Sequence, residues 1–245
     1  MIQFANPSAD LFIPDDFEPS QALGRTTHLG VGAHQDDLEV MALHGILACY
    51  KQPQKWFGGV TVTNGAGSSR TNEYADYTDE QMQAVRAEEQ RKAAVVGEFG
   101  FVAQLGYPSS TVKQPGNSDF AADLRMILAA TKPEVVYTHN LADKHDTHVA
   151  VVVPLIRALR EMPAAERPAE VYGVEVWRDL NWLLDDEKVL LNMANRPNLV
   201  RALISIFDSQ ISGGKRYDLA LEGRPRSNAT FFDSHAVDDL ALIHI

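Results

Sequence analysis

The chain of 245 residues contains a single cysteine, Cys49, so it cannot form a disulfide within itself. Its stability must come from a packed core, and a reducing, cytoplasmic compartment is expected. Cys49 falls inside the apolar run Met41 to Tyr50, which reads as helix, and a buried structural thiol is expected there. Positive charge is scarce too: 22 Lys and Arg stand against 33 Asp and Glu, for a formal net charge of -11. No polybasic cluster offsets that balance, which argues against nucleic acid and favours a neutral or modestly charged small molecule. No apolar run is long enough to span a bilayer, so no membrane partner is expected. Met1 to Pro19 has neither a basic start nor an apolar core, which argues against a leader peptide in that stretch. Internal repeats, low-complexity tracts and linkers are missing as well, and one domain over residues 1–245 is expected.

What is present is an ordinary globular composition, 45% hydrophobic and 22% charged, in alternating strand and helix patterns. Thr26 to Ala33, Trp56 to Thr63, Phe101 to Leu105, Glu134 to Thr138 and Val171 to Trp177 read as strands, rich in β-branched and aromatic residues. Leu38 to Tyr50 reads as helix. A capping box at Thr78-Asp79-Glu80-Gln81 opens a long helix to about Glu98. Phe120 to Ala130 follows, with Asn117 or Ser118 as its cap, then Val149 to Arg160, in which Pro154 marks a kink or the true start. Leu199 to Phe207 is the last helix. Residues 1–25, broken by Pro7, Pro14 and Pro19, are expected to be an irregular lead-in, and 212–245 a polar C-terminal segment. Such alternation implies βαβ units with right-handed crossovers. The expected fold is α/β and Rossmann-like, a single domain whose mostly parallel sheet has helices on both faces.

Chemistry concentrates where strands end. Gly30-Val31-Gly32-Ala33-His34-Gln35-Asp36-Asp37 carries a buried strand into a helix, where open parallel sheets hold their ligands. His34 and Asp37, three apart, share one face of a helical turn, and Asp36 points elsewhere. Taken alone, either aspartate is equally well read as a helix N-cap. A second loop, His139-Asn140-Leu141-Ala142-Asp143-Lys144-His145-Asp146-Thr147-His148, leaves the fourth strand on the same rim. His145 and His148 repeat the i, i+3 spacing. A catalytic zinc takes three protein ligands and keeps a position open for water, and His34, Asp37 and one of these histidines would supply that set. The remaining histidine would face the substrate.

These stretches resemble the PIG-L/LmbE-like zinc-dependent N-acetyl-sugar deacetylase family. Ala33-His34-Gln35-Asp36-Asp37 matches its Ala-His-Pro-Asp-Asp, and His145-Asp146-Thr147-His148 its His-x-Asp-His. Between them, Thr63-Asn64-Gly65-Ala66-Gly67 resembles the family's glycine loop, Arg86-Ala87-Glu88-Glu89 its helical Arg-x-x-Glu, and Pro133 to Asn140 its strand before the second motif. The resemblance covers about residues 26–160. It implies Zn2+ bound by His34, Asp37 and His148, with Asp36 as general base and His145 as acid or oxyanion stabiliser. It also implies an N-acetylated sugar of the N-acetylglucosamine type, or a conjugate, as substrate, and a homo-oligomer. Gln35 stands where the family has proline, which is expected to loosen the turn. Thr147 stands where it has aspartate, so Asp143 or Asp146 is expected to orient His145. Another amide or an ester is the alternative substrate, and a non-catalytic metal- or nucleotide-binding module the alternative class; the unbound Asp36 speaks against the latter.

Other residues have two readings. Arg86 anchors a sugar hydroxyl or pairs with Glu89 or Gln90 on its own helix, and Asn64 lines the pocket or only starts a turn. Trp177, with Arg178 beside it, stacks on a pyranose ring or packs half-exposed on the rim. Lys215, Arg216, Arg224 and Arg226 form a basic island that approaches the substrate or is simply solvated. His235 is a further candidate in the tail, whereas His28 and His44 read as structural.

Overall fold

A computed structural model of the chain describes residues 2–114, 116, 119–176, 180–193, 195–227, 235 and 243–244, with backbone only for 224–227 and 243–244. Strands β1 (Asp10–Phe12), β2 (His28–Gly32), β3 (Phe57–Thr63), β4 (Phe101–Tyr107), β5 (Val135–His139) and β6 (Glu170–Val174) form one sheet. Its order is β1-β4-β3-β2-β5-β6, and only β1 runs antiparallel to its neighbour. A small antiparallel pair, β7 (Leu190–Leu191) with β8 (Ile243–His244), lies apart. The helices in chain order are α1 (Pro19–Gly24), α2 (Asp37–Met41), α3 (Leu43–Cys49), α4 (Asp79–Val96), α5 (Ser109–Val112), α6 (Asp119–Thr131), α7 (Asp146–Glu161), α8 (Pro197–Ser205), α9 (Asp208–Ile211) and α10 (Tyr217–Ser227).

Alternation along the strands divides the core in two. Leu29 and Val31 of β2, Val60 and Val62 of β3 and Phe101, Ala103 and Leu105 of β4 face one way, onto Leu23 of α1, Phe120 and Leu124 of α6 and Val151 and Leu155 of α7. Phe57, Val102 and Tyr137 face the other way, onto Leu38 and Met41 of α2, Ile46 of α3, Ala93 of α4 and Leu203 of α8. The expected doubly wound α/β fold, with helices on both faces, is present.

Several boundaries differ from the sequence reading for local reasons. The lead-in contains β1 and α1: Pro19 sits at the first turn of α1, where its missing N–H costs nothing, and β1 is a three-residue edge strand too short for a periodicity to show. The helix expected over Leu38 to Tyr50 is two helices, parted at Ala42, whose backbone (φ -104°, ψ 14°) leaves the helical range. Pro154 lies inside α7, which begins at Asp146. The tail is helical over Tyr217–Ser227. The capping box at Thr78 and Gln81 forms in both directions. Asn117 and Ser118 lie outside the described residues.

Chain order places the site. From β2 the chain steps through β3 to β4 on one side, whereas β5 and β6 lie on the other. The order therefore reverses between β2 and β5, and ligands of such sheets bind in the crevice at the carboxyl ends of those strands.

Candidate active site

His34 stands two residues past the end of β2, and His139 is the last residue of β5. Asp37 opens α2 between them. Its Oδ2 accepts from the His34 backbone N–H (2.6 Å) and lies 3.2 Å from His34 Nδ1 and 3.3 Å from His139 Nε2; its Oδ1 lies 3.6 Å from His148 Nε2. Gly32 makes that approach feasible, since a Cβ there would sit 2.9 Å from the Asp37 Cβ. Asp37, His139 and His148 are buried and His34 is partly open. Burial pushes the Asp37 carboxyl up, but His148, His139 and His34 outweigh it and hold the group well below the usual carboxylate range. His34, Asp37 and His148 each offer a ligand atom within 4.8 Å of the others. Ligands at roughly 2.0–2.2 Å from one ion are mutually spaced in that range, so the donor set fits a single divalent metal.

The second motif is positioned from α7. His148 Nδ1 lies 2.9 Å from Asp143 Oδ2, so the ring donates there and turns Nε2 toward Asp37. Burial pulls the His148 pKa down, yet the carboxylates of Asp37 and Asp143 prevail and leave it raised. Asp143 therefore holds His148 and touches His145 only through that residue's backbone N–H (2.8 Å). The His145 ring is fixed instead by the Thr147 backbone amide, which donates to Nδ1 at 3.3 Å as His145 caps α7. That bond places the proton of the neutral ring on Nε2, and burial lowers the His145 pKa, favouring the neutral form. Asp146 does not orient His145 by a hydrogen bond: its exposed carboxylate pairs with Lys113 at 3.2 Å and stays 3.7 Å from His145 Nδ1. The Thr147 backbone thus holds the ring that Asp143 or Asp146 was expected to orient.

Asp36 sits beside this cluster with its backbone in the left-handed region (φ 95°) and lines the same cavity as Asp37. Its Oδ2 is 3.2 Å from Arg86 Nη2, and its N–H donates to Gln90 Oε1 at 3.4 Å. Burial and the Asp37 charge push the Asp36 carboxyl up against the pull of Arg86. Arg86, 1% exposed, also donates to the Gln35 carbonyl, to Glu89 (3.4 Å) and to Ser209 Oγ (3.2 Å). Arg86 therefore pairs with Glu89 on its own helix and also lines the cavity, with its guanidinium committed to protein groups. Gln35 is not a loose substitute for proline; its side-chain amide donates to the Thr63 carbonyl (3.0 Å) and to Gln104 (3.3 Å). Gly65 (φ 74°) lies against both, and a Cβ there would meet Gln35 Oε1 at 2.8 Å and Arg86 Cβ at 2.9 Å.

A cavity of about 350 Å³ opens over these groups, with His34, Asp36, Arg86, His145 and His148 among its walls. Asn64 does not line it; its Oδ1 accepts from the Ala66 N–H at 3.2 Å, the turn-forming alternative, and Gly65, Gly67 and Ser68 reach the cavity instead. Of the basic island, Lys215 lines the cavity and Arg216 pairs with Asp218 at 2.9 Å. The side chains of Arg224 and Arg226, and all of Trp177 and Arg178, lie outside the described residues, and His235 is exposed. His44 meets the Tyr137 hydroxyl at 2.8 Å and His28 meets Thr27 Oγ1 at 2.9 Å, away from the site. Cys49 is buried, as expected.

Two buried groups were missed in the sequence. His139 stacks on His148 (centroids 3.8 Å apart) and accepts from the Ala33 N–H at 2.9 Å; burial beside His148 lowers its pKa to about 4, so it is neutral. Its signal was a histidine closing a β-branched strand on the ligand-bearing rim. Glu39, two residues past Asp37, accepts from Gln90 (2.8 Å) and is pushed up to about 8 by burial. No periodicity marks a glutamate that turns inward.

At the switch point of this α/β domain a His-Asp-His group suited to a metal ion stands in one cavity with a second carboxylate, Asp36. The profile of the GlcNAc-PI de-N-acetylase (PIG-L) family matches residues 29–159, and the chain belongs to that family. No curated protein sequence matches it. Among solved structures it is similar to the conserved protein TT1542 from Thermus thermophilus (21% identity, TM-score 0.64, covering 90% of this chain and 94% of that one). It is also similar to GalB, the 4-carboxy-2-hydroxymuconate hydratase from Pseudomonas putida (18%, 0.62, 90% and 96%). A third is the N,N'-diacetylchitobiose deacetylase from Pyrococcus horikoshii (16%, 0.63, 84% and 78%). At these identities the likeness is one of fold.

Proposed function

We propose that the chain is a zinc-dependent N-deacetylase acting on a small amino sugar of the N-acetylglucosamine type, or a conjugate of one. Family membership and a deacetylase among the fold relatives support the reaction class. The observation that carries it is the Asp36 carboxylate, which lines one cavity with His34, Asp37 and His148 and is held at 3.2 Å by Arg86 Nη2. Two imidazoles and one carboxylate suit zinc better than magnesium or calcium, which prefer oxygen donors.

Zinc bound by His34, Asp37 and His148 would supply Lewis acidity and a water acidified to a pKa of about 7. Asp36, near that position and steadied by Arg86, takes the proton of the attacking water. His145, neutral with its proton on Nε2, donates to the developing oxyanion or to the leaving nitrogen. Asp143 keeps the His148 ring in the tautomer that presents Nε2. The Gly65–Ser68 loop and Lys215 frame the cavity, where they meet ring hydroxyls. A cytoplasmic setting fits the lone buried thiol, and among the described residues no helix is long and apolar enough to cross a membrane.

The test is amine release by metal-defined protein from a panel of N-acetylated saccharides, with acetamide, an acetylated peptide and an O-acetyl ester as controls. Remote sugar contacts position the scissile carbonyl, so N-acetylglucosamine must exceed acetamide in kcat as well as in kcat/KM. Activity confined to the peptide or the ester would assign the site to another amide or ester.

A further inference from the structure

A second cavity, about 670 Å³, begins where the catalytic one ends. Lys113 and Asp146 line both, and their 3.2 Å ion pair marks the boundary. From there the second cavity follows one stripe of α7, Asp146, Val149, Ala150, Val153, Pro154 and Arg157, at helical i, i+3, i+4 spacing. Phe120 and Val112, both buried, form the opposite wall. Eleven residues at 1.5 Å rise put Arg157 about 16 Å along the helix from Asp146. Val149, Ala150, Val153 and Pro154 are half-buried with the cavity beside them, so an apolar strip is left partly open to solvent. Arg157, exposed at the far end, has no ion pair or hydrogen bond among the described residues, whereas Arg125 beside it is paired with Glu161 at 2.5 Å. The site thus has a catalytic end, an apolar middle and an unpaired cation at its end.

Resting on the deacetylase reading, we infer that this groove binds the aglycone of the substrate: an apolar anomeric substituent about 16 Å long that ends in an anionic group. Adjacency to the catalytic cavity, with Lys113 and Asp146 as shared walls at the solvent-exposed border, is what ties the occupant to the substrate, and Arg157 is what calls for its charge. The substrate is accordingly a conjugate, and the free sugar is a poor version of it.

Three N-acetylglucosaminides test this: methyl, octyl and an alkyl chain of octyl length carrying a terminal carboxylate. The groove predicts kcat/KM for the octyl glycoside at least tenfold above methyl, from apolar burial. It predicts a further gain of about threefold for the carboxylate, modest because Arg157 is exposed. Val153→Trp fills the groove and brings the octyl-to-methyl ratio close to one. Arg157→Glu removes the carboxylate's advantage, and Arg157→Lys restores most of it. Equal kcat/KM for methyl and octyl, or ratios untouched by Val153→Trp, overturns the inference. If no glycoside releases acetate, the deacetylase reading has failed, and calorimetry with the same glycosides decides the groove. Octyl binding at least tenfold tighter than methyl, lost in Val153→Trp, upholds it, and equal binding overturns it.

Discussion

Asp143 Oδ2 lies 2.9 Å from His148 Nδ1, with both side chains buried. The contact fixes which nitrogen His148 turns toward Asp37 and His34. Carboxylates behind a ligating imidazole typically set metal affinity by 10–100-fold. Asp143→Asn is therefore expected to weaken zinc binding by about that factor in a chelator-competition titration. Affinity within twofold of wild type would mean that His148 is not a ligand or is held by other groups.

Asp36 gives a different signature. Asp36→Asn is expected to retain zinc and to lower kcat by roughly 10²–10⁴-fold, the range for a positioned general base. Metal analysis and kinetics on one preparation separate the outcomes. Loss of metal in Asp36→Asn, with metal kept in Asp37→Asn, would exchange the roles of the two carboxylates.

His145 is held by the backbone of Thr147, and Asp146 by Lys113 in solvent. His145→Ala should therefore lower kcat at least tenfold more than Asp146→Ala does, with zinc content near wild type in both. The reverse ranking would show that Asp146, despite its exposure, carries the proton chemistry.

The grouping of His34, Asp37, His145 and His148 was legible in the sequence, because loops leaving parallel strands gather on one rim of the sheet. His34 and Asp37 lie in the loop and helix start after β2, His145 and His148 in those after β5, and short spacing brings each pair together. The partners of those residues were not legible. Nothing local links Arg86 to Gln35 and Ser209, which lie 51 and 123 residues away in the chain, and only folding brings them together. Expecting Asp143 or Asp146 to orient His145 failed for a related reason: two loop carboxylates and two nearby histidines leave the pairing open until the fold fixes each ring. The break at Ala42 and the strand Asp10–Phe12 escaped because both are set by packing against the sheet, which overrides a weak local pattern.

Arg86 should also matter for stability. Its buried guanidinium faces Asp36 and Glu89, so Arg86→Met leaves carboxylates buried without their cation. Breaking a buried pair in this way costs about 3–5 kcal/mol, read from urea unfolding. A loss below about 1 kcal/mol, the value of an exposed pair, would show that water reaches these groups.

Acid stability carries a separate signature at His28. Burial, with Lys55 and His44 adding to it, lowers its pKa from 6.5 to about 4. Between those values the unfolded chain binds a proton that the folded chain does not, so stability rises with pH across that window. It is fully present above about pH 6.5 and falls as pH drops toward 4. Urea midpoints at pH 7.5 and 5 should differ less in His28→Gln than in wild type. An equal difference would show that His28 titrates normally in the fold.

Acetate release from N-acetylated glucosaminides, followed with and without bound zinc, tests the central claim most directly. The predicted result is one acetate per free amine formed, abolished by chelation and restored by about one equivalent of zinc per chain. Zinc bound at that stoichiometry with no acetate released from any N-acetyl saccharide would contradict it.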